Sequence, residues 1–179
     1  VFQHLNANVA LNGLSNVFTH NVALGTENKV LEIFSPDLTT WNFPSAIRVD
    51  DQYSREKASL DANLKYEQRR EKVYVRPLDS FEFGGPVRLI KIDVEFMELQ
   101  VILGARETIK RDRPLMWVEN EPYFDEPPNT EFVDTMYREF GYVCKPVARL
   151  ELLCAPGKKV KAGEAPEHED GVVPNGFKR

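Results

Sequence analysis

Val87-Arg88-Leu89-Ile90-Lys91-Ile92-Asp93-Val94 is the stretch that decides the fold class. It follows the break Gly84-Gly85-Pro86, is apolar for most of its length, and closes on an acidic residue. A short apolar run bounded by turn residues predicts a strand covered on both faces, as in a parallel sheet. A helix is expected directly after it. Val94, Met97, Val101, Ala105 and Ile109 recur at helical spacing, with Ile102 beside the stripe. Glu95 and Glu98 fall in its first turn and Lys110, Arg111 and Arg113 in its last, which complements the helix dipole. Pro114 ends it, and Leu115-Met116-Trp117-Val118 begins a second buried strand. Strand, helix and strand in this order predict an α/β fold with a largely parallel sheet.

The pattern extends both ways. Downstream, Pro122, Pro127 and Pro128 stiffen a loop, and Phe132, Val133, Met136, Tyr137 and Phe140 mark an amphipathic helix stopped by Gly141. Short strands at 142–147 and 149–154 are expected to close the sheet. Upstream, residues 73–78 predict an edge-like strand ended by Pro77, with Asp79-Ser80 as a turn. Strands are expected at 29–34 and at 17–24, and Phe2, Leu5, Val9 and Leu11 predict a helix stopped by Asn12-Gly13. One domain is expected over 1–155. Residues 35–72 form a variable insertion within it, broken by Pro36, Pro44 and Asp50-Asp51. Residues 156–179, rich in Gly, Pro, Lys and Glu, predict a disordered tail.

Composition narrows the function. The chain has 179 residues, 42% of them hydrophobic, and a formal net charge of -5. The acidic balance argues against a nucleic-acid groove. No apolar run approaches the roughly 18–20 residues of a membrane span. Cys144 and Cys154 match no zinc spacing and are too few for a disulfide framework, so they are expected to be reduced, in a cytoplasmic protein. The chain starts at Val1 within a helix-like pattern, so the natural N-terminus is expected to lie further upstream.

In open α/β sheets, ligands bind beyond the carboxyl ends of the strands. The residues there are Asp93 and Glu95 after the first buried strand, and Glu119, Asn120 and Glu121 after the second. Neighbouring parallel strands would bring Asp93 to Glu119 and Asn120. Taken singly, Asp93 also reads as an N-cap and Glu95 as a partner of the helix dipole. Taken together, the carboxylates suit acid-base work or a divalent ion. His4, His20 and His168 are scattered without metal-ligand spacing, and no metal ligands are assigned. There is no P-loop, no G-x-S-x-G elbow and no G-x-G-x-x-G loop.

Leu89-Ile90-Lys91-Ile92-Asp93-Val94-Glu95, followed by Met97-Glu98 and Leu103-Gly104-Ala105, resembles the signature of FkbM-type methyltransferases. The similarity continues through Arg113-Pro114 to Val118-Glu119. Asn21-Val22-Ala23-Leu24-Gly25, Leu78-Asp79-Ser80 and Gly141-Tyr142 resemble flanking parts of the family, so that it covers about residues 1–155. The resemblance implies a Rossmann-like class I methyltransferase fold, a mostly parallel seven-stranded sheet with helices on both faces. It implies S-adenosyl-L-methionine as cofactor and methyl transfer to an oxygen of a small-molecule, glycan or lipid acceptor. Asn21 and Val22 would lie near the adenine, and Asp93 near the methionine end and the acceptor.

The family's glycine-rich cradle and its ribose-binding acidic residue are expected before Val1. The chain is therefore expected to be an N-terminally incomplete, inactive fragment, with a break between the strands at 17–24 and 87–94. Phe96 stands where the family has glycine. Together with the missing cradle, it supports an alternative: a non-catalytic paralogue serving as a binding or interaction module.

Overall fold

The computed structural model describes residues 1–36, 66–94, 97–120 and 130–157. Glu95, Phe96, Glu121, the tail beyond Gly157 and most of the insertion lie outside the described residues. Helix α1 spans Phe2–Leu11. The strands are β1 Ala23–Leu24, β2 Lys29–Pro36, β3 Tyr66–Arg76, β4 Leu89–Ile92, β5 Leu115–Glu119, β6 Tyr142–Ala148 and β7 Glu151–Pro156. The described residues also form helices α2 Glu98–Leu103, α3 Arg106–Asp112 and α4 Thr130–Phe140 and a 3-10 turn at Leu78–Ser80.

The strands form two sheets, ordered β1-β3-β2 and β4-β5-β7-β6. They are mixed, which corrects the expectation of a mostly parallel one. β4 pairs parallel with β5, and β1 with β3. β7 runs antiparallel to both β5 and β6, and β2 antiparallel to β3. The reason lies in the connection: only Arg149 and Leu150 separate β6 from β7, and a two-residue link can join only antiparallel strands.

Among the described residues, helices cover one face of the four-stranded sheet, not both. Ile92, Met116, Val118, Leu152 and Cys154 alternate inward and form one core with Val101, Ile102 and Ile109 of α2 and α3 and Phe132, Met136 and Phe140 of α4. The intervening Leu89, Leu115 and Trp117 point the other way and are 59%, 45% and 41% exposed. Helix α1 buries no residue. β4 is an edge strand, and no strand pairing joins the two sheets among the described residues, so the expected break separates β1 from β4.

Three local expectations also change. The strand expected at 17–24 shrinks to Ala23–Leu24, and Val17 and Phe18 are exposed. The strand expected at 73–78 is longer and lies in the middle of its sheet rather than at the edge. The single helix expected after β4 is two. Helix α2 ends at Gly104, whose carbonyl accepts from the Asp79 backbone N–H at 3.0 Å. The Asp79 carboxylate then accepts from the backbone N–H groups of Glu107 and Thr108, both at 2.9 Å, and so caps α3 from a distant loop. Asp79→Ala is expected to cost about 1–2 kcal/mol, read as a lower urea midpoint with an unchanged slope.

The pairs of residues that resemble the family at 113–114 and 141–142 meet in space. The buried Tyr142 hydroxyl donates to the Pro114 carbonyl at 2.8 Å, and burial pushes its pKa up to about 12. The Arg113 guanidinium lies over the Tyr142 ring at 4.7 Å and donates to the Phe140 carbonyl. The cysteines correct another expectation: Cys144 and Cys154 face each other across β6 and β7 and form a disulfide. At the far end of α3, Arg111 and the Val87 N–H hold the Asp112 carboxyl down at about 2 from its ordinary 3.8. That contribution to stability is present above the ordinary value and is lost as pH falls through about 2. No helix among the described residues is long and apolar enough to cross a membrane.

Candidate functional site

The site is built where β4 and β5 end. Ile92 is in register with Val118, so the next residues, Asp93 and Glu119, leave adjacent parallel strands side by side. Side chains alternate along a strand. Lys91 and Asp93 therefore share the helix-free face with Trp117 and Glu119. Glu119 is in register with Glu151 of β7, which adds a third carboxylate to that face.

Lys91 sits among these acids. Its Nζ lies 3.6 Å from Asp93 Oδ2 and donates to Glu151 Oε2 at 3.2 Å and Oε1 at 3.3 Å. The Trp117 indole Nε1 also donates to Glu151. Asp93 is the most open of the group, with its side chain 56% exposed, whereas Glu151 is 27% exposed. The Met97 N-cap position of α2 has no side-chain hydrogen bond, and Asp93 lies four residues ahead of it, so Asp93 does not cap that helix. Its place at an open strand end leaves a carboxylate available to accept a proton.

Asn120 points the other way. It is buried, its backbone N–H donates to the Leu150 carbonyl at 2.8 Å, and its Oδ1 has no hydrogen-bond partner among the described residues. An unpaired buried acceptor costs about 1–3 kcal/mol, so a donor that reaches it is favoured.

The sequence-expected site residues divide into two places. Asp93 and Glu119 come together on the helix-free face, Asn120 follows Glu119 but turns to the covered face, and Glu95 lies outside the described residues. Asn21, exposed, and Val22, half-buried, precede β1 in the other sheet. No hydrogen bond joins them to the Asp93 cluster among the described residues. Lys91, Trp117 and Glu151 had no assigned role in the sequence reading. Their signal was the two-residue alternation, which sets Lys91 with Asp93 and Trp117 with Glu119. No group of three or more His, Cys, Asp or Glu among the described residues is placed to hold a metal ion, and the cation these carboxylates share is the Lys91 ammonium. A separate open recess, lined by Phe81, Phe83, Pro86, Arg111 and Asp112, lies beside the C-terminal end of α3 and includes no strand-end residue.

The comparisons with known proteins bear on what this edge is for. The family model described as Methyltransferase FkbM domain matches residues 2–144, from the start of α1 to the disulfide cysteine of β6. No curated protein and no solved structure matches the chain. The matched span includes β4, β5 and every described residue of the strand-end cluster except Glu151, and the chain belongs to the FkbM methyltransferase family.

Proposed function

We propose that the protein is an S-adenosyl-L-methionine-dependent O-methyltransferase acting on a hydroxyl of a small molecule, sugar or lipid. The observation that carries this reading is the family match together with Asp93 and Glu119 side by side at open strand ends. S-adenosyl-L-methionine, when bound, supplies an electrophilic methyl group on a positively charged sulfonium. The residues present fit that end of the cofactor. Asp93 and Glu151 flank the Lys91 ammonium on the face that Glu119 shares, and the buried Asn120 Oδ1, without a partner among the described residues, offers an acceptor to an amine or hydroxyl. The nucleoside end is less well provided. The 179 residues contain no glycine-rich cradle, and Asn21 and Val22 are assigned to the adenine by resemblance alone.

In this reading Asp93 accepts the proton of the acceptor hydroxyl as the oxygen attacks. Glu119 orients that hydroxyl, Asn120 offers its buried Oδ1 to a donor at the strand end, and Glu95, close to Asp93 in the sequence, adds negative charge. Holding the reacting oxygen in line supplies much of the acceleration in such transfers. A cytoplasmic location rested on reduced thiols. The Cys144–Cys154 bond withdraws that support, because disulfides persist mainly in oxidising compartments.

The test is incubation of the natural protein with methyl-labelled S-adenosyl-L-methionine and hydroxylated acceptors of each class. Label recovered in a methyl ether is the expected result. Label recovered on nitrogen or carbon overturns the oxygen assignment, and no transfer to any acceptor overturns the reading.

A further inference from the structure

We propose that Lys91 and Glu151 are positioning residues for Asp93, and that the Trp117 indole locks them in place. The inference rests on the proposed role of Asp93 and names what holds that residue where it acts. Asp93 stands one residue past the paired end of β4, where the ladder no longer restrains it, and its side chain is 56% exposed. A free carboxylate there would sample several rotamers and would be pushed away by Glu119 and Glu151, which face the same side of the sheet. A chain of contacts opposes this. Trp117 Nε1 donates to Glu151, Glu151 takes both of its oxygens to Lys91 Nζ, and Lys91 Nζ lies 3.6 Å from Asp93 Oδ2.

The three anchors come from three strands. Lys91 is on β4, Trp117 on β5 and Glu151 on β7, and the register places Lys91 opposite Trp117 and Glu151 opposite Glu119. A flexible lysine at the surface rarely fixes anything alone, since an exposed ion pair contributes little. Here the ammonium is held on its far side by the less exposed Glu151, whose own position is set by a rigid indole. The network therefore acts on geometry. A misplacement of about 1 Å in a reacting group can cost on the order of 10²-fold in rate.

Two readouts test this, and one of them does not depend on catalysis. In the nitrogen–proton spectrum, Lys91→Met is expected to move the Trp117 indole N–H resonance, as Glu151 loses its ammonium, and to leave thermal melting within a few degrees of wild type. Lys91→Arg, which can restore the bridge, is expected to return the resonance towards its wild-type position. An indole resonance unmoved by Lys91→Met overturns the network, whatever the enzyme's activity. In the methyl-transfer assay Lys91→Met is expected to lower kcat by about 10–100-fold with KM little changed, and Lys91→Arg to recover most of it. Unchanged kcat in Lys91→Met beside a moved resonance overturns the positioning role. Absence of transfer by the wild-type protein counts instead against the proposed function, and the resonance test still decides the network.

Discussion

Asp93→Asn is expected to lower the methyl-transfer rate by about 10²–10⁴-fold, the usual worth of a positioned proton acceptor, while leaving stability nearly untouched. The two halves of this expectation have separate physical grounds. Asparagine is isosteric with aspartate but cannot take a proton from a hydroxyl at neutral pH. The Asp93 side chain is more than half exposed and does not cap α2, and its pair with Lys91 is a 3.6 Å surface contact. An exposed position of this kind changes stability by about 0.5 kcal/mol or less. Measuring kcat/KM beside the melting temperature separates the outcomes. Wild-type turnover with wild-type melting would remove Asp93 from the mechanism, and Glu119→Gln would become the decisive substitution.

Gly104→Ala is expected to produce the largest loss of stability. Gly104 lies at the junction of α2 and α3, against the start of the loop that follows β1. A Cβ there would overlap the carbonyl oxygen of Gly25, lie 2.9 Å from its carbonyl carbon and sit 3.3 Å from the Pro77 Cα. All three neighbours are backbone, so no side-chain rotation relieves the contact. Alanine in place of glycine normally favours folding by about 0.4–1 kcal/mol through the unfolded chain. Overpacking costs about 1–3 kcal/mol, and rigid neighbours push it to the upper end or beyond, so the overlap wins and a net loss of about 2 kcal/mol or more follows. Gly85→Ala is the control, because a Cβ at Gly85 meets nothing within 4 Å. Equal urea midpoints for the two variants would mean that Gly25 and Gly104 are not in contact, and that the small sheet is not docked on the α2–α3 junction.

That junction shows where the sequence was readable and where it was not. Residues 87–94 were legible as a strand because their composition is local information, and β4 formed within them, but as an edge strand covered on one face rather than the expected two. The helical stripe after it was also real, but its division was not legible. The division depends on Asp79 reaching across from a loop well upstream to bind the backbone of Glu107 and Thr108, and no periodicity records such a contact. The mixed character of the large sheet was legible in principle. Strands at 142–147 and 149–154 were expected almost where β6 and β7 lie, and their short link already required a hairpin. The same hairpin sets Cys144 opposite Cys154, so the pairing of the thiols followed from register rather than from cysteine count.

The site divides in the same way. Asp93 and Glu119 were found because ligand sites follow strand ends, a rule that needs only the strand boundaries. Lys91, Trp117 and Glu151 lie inside strands, where side chains ordinarily pack against another layer. Their meeting depends on the helix-free face and on β7 lying against β5, which the sequence did not order. Asn21 and Val22 were carried by resemblance, and they precede β1 of the other sheet, apart from the residues that register and alternation bring together.

In the proposed function the ends of β4 and β5 hold the methyl donor and the acceptor. The most direct measurement is a map of backbone amide shifts as excess S-adenosyl-L-methionine is titrated into the labelled protein, which registers weak binding as well as tight. Shifts are expected to concentrate at Asp93, Val94, Glu119 and Asn120, with the Trp117 indole responding through Glu151. Shifts confined to the recess beside Phe81 and Asp112, with the strand ends silent at saturation, would contradict it.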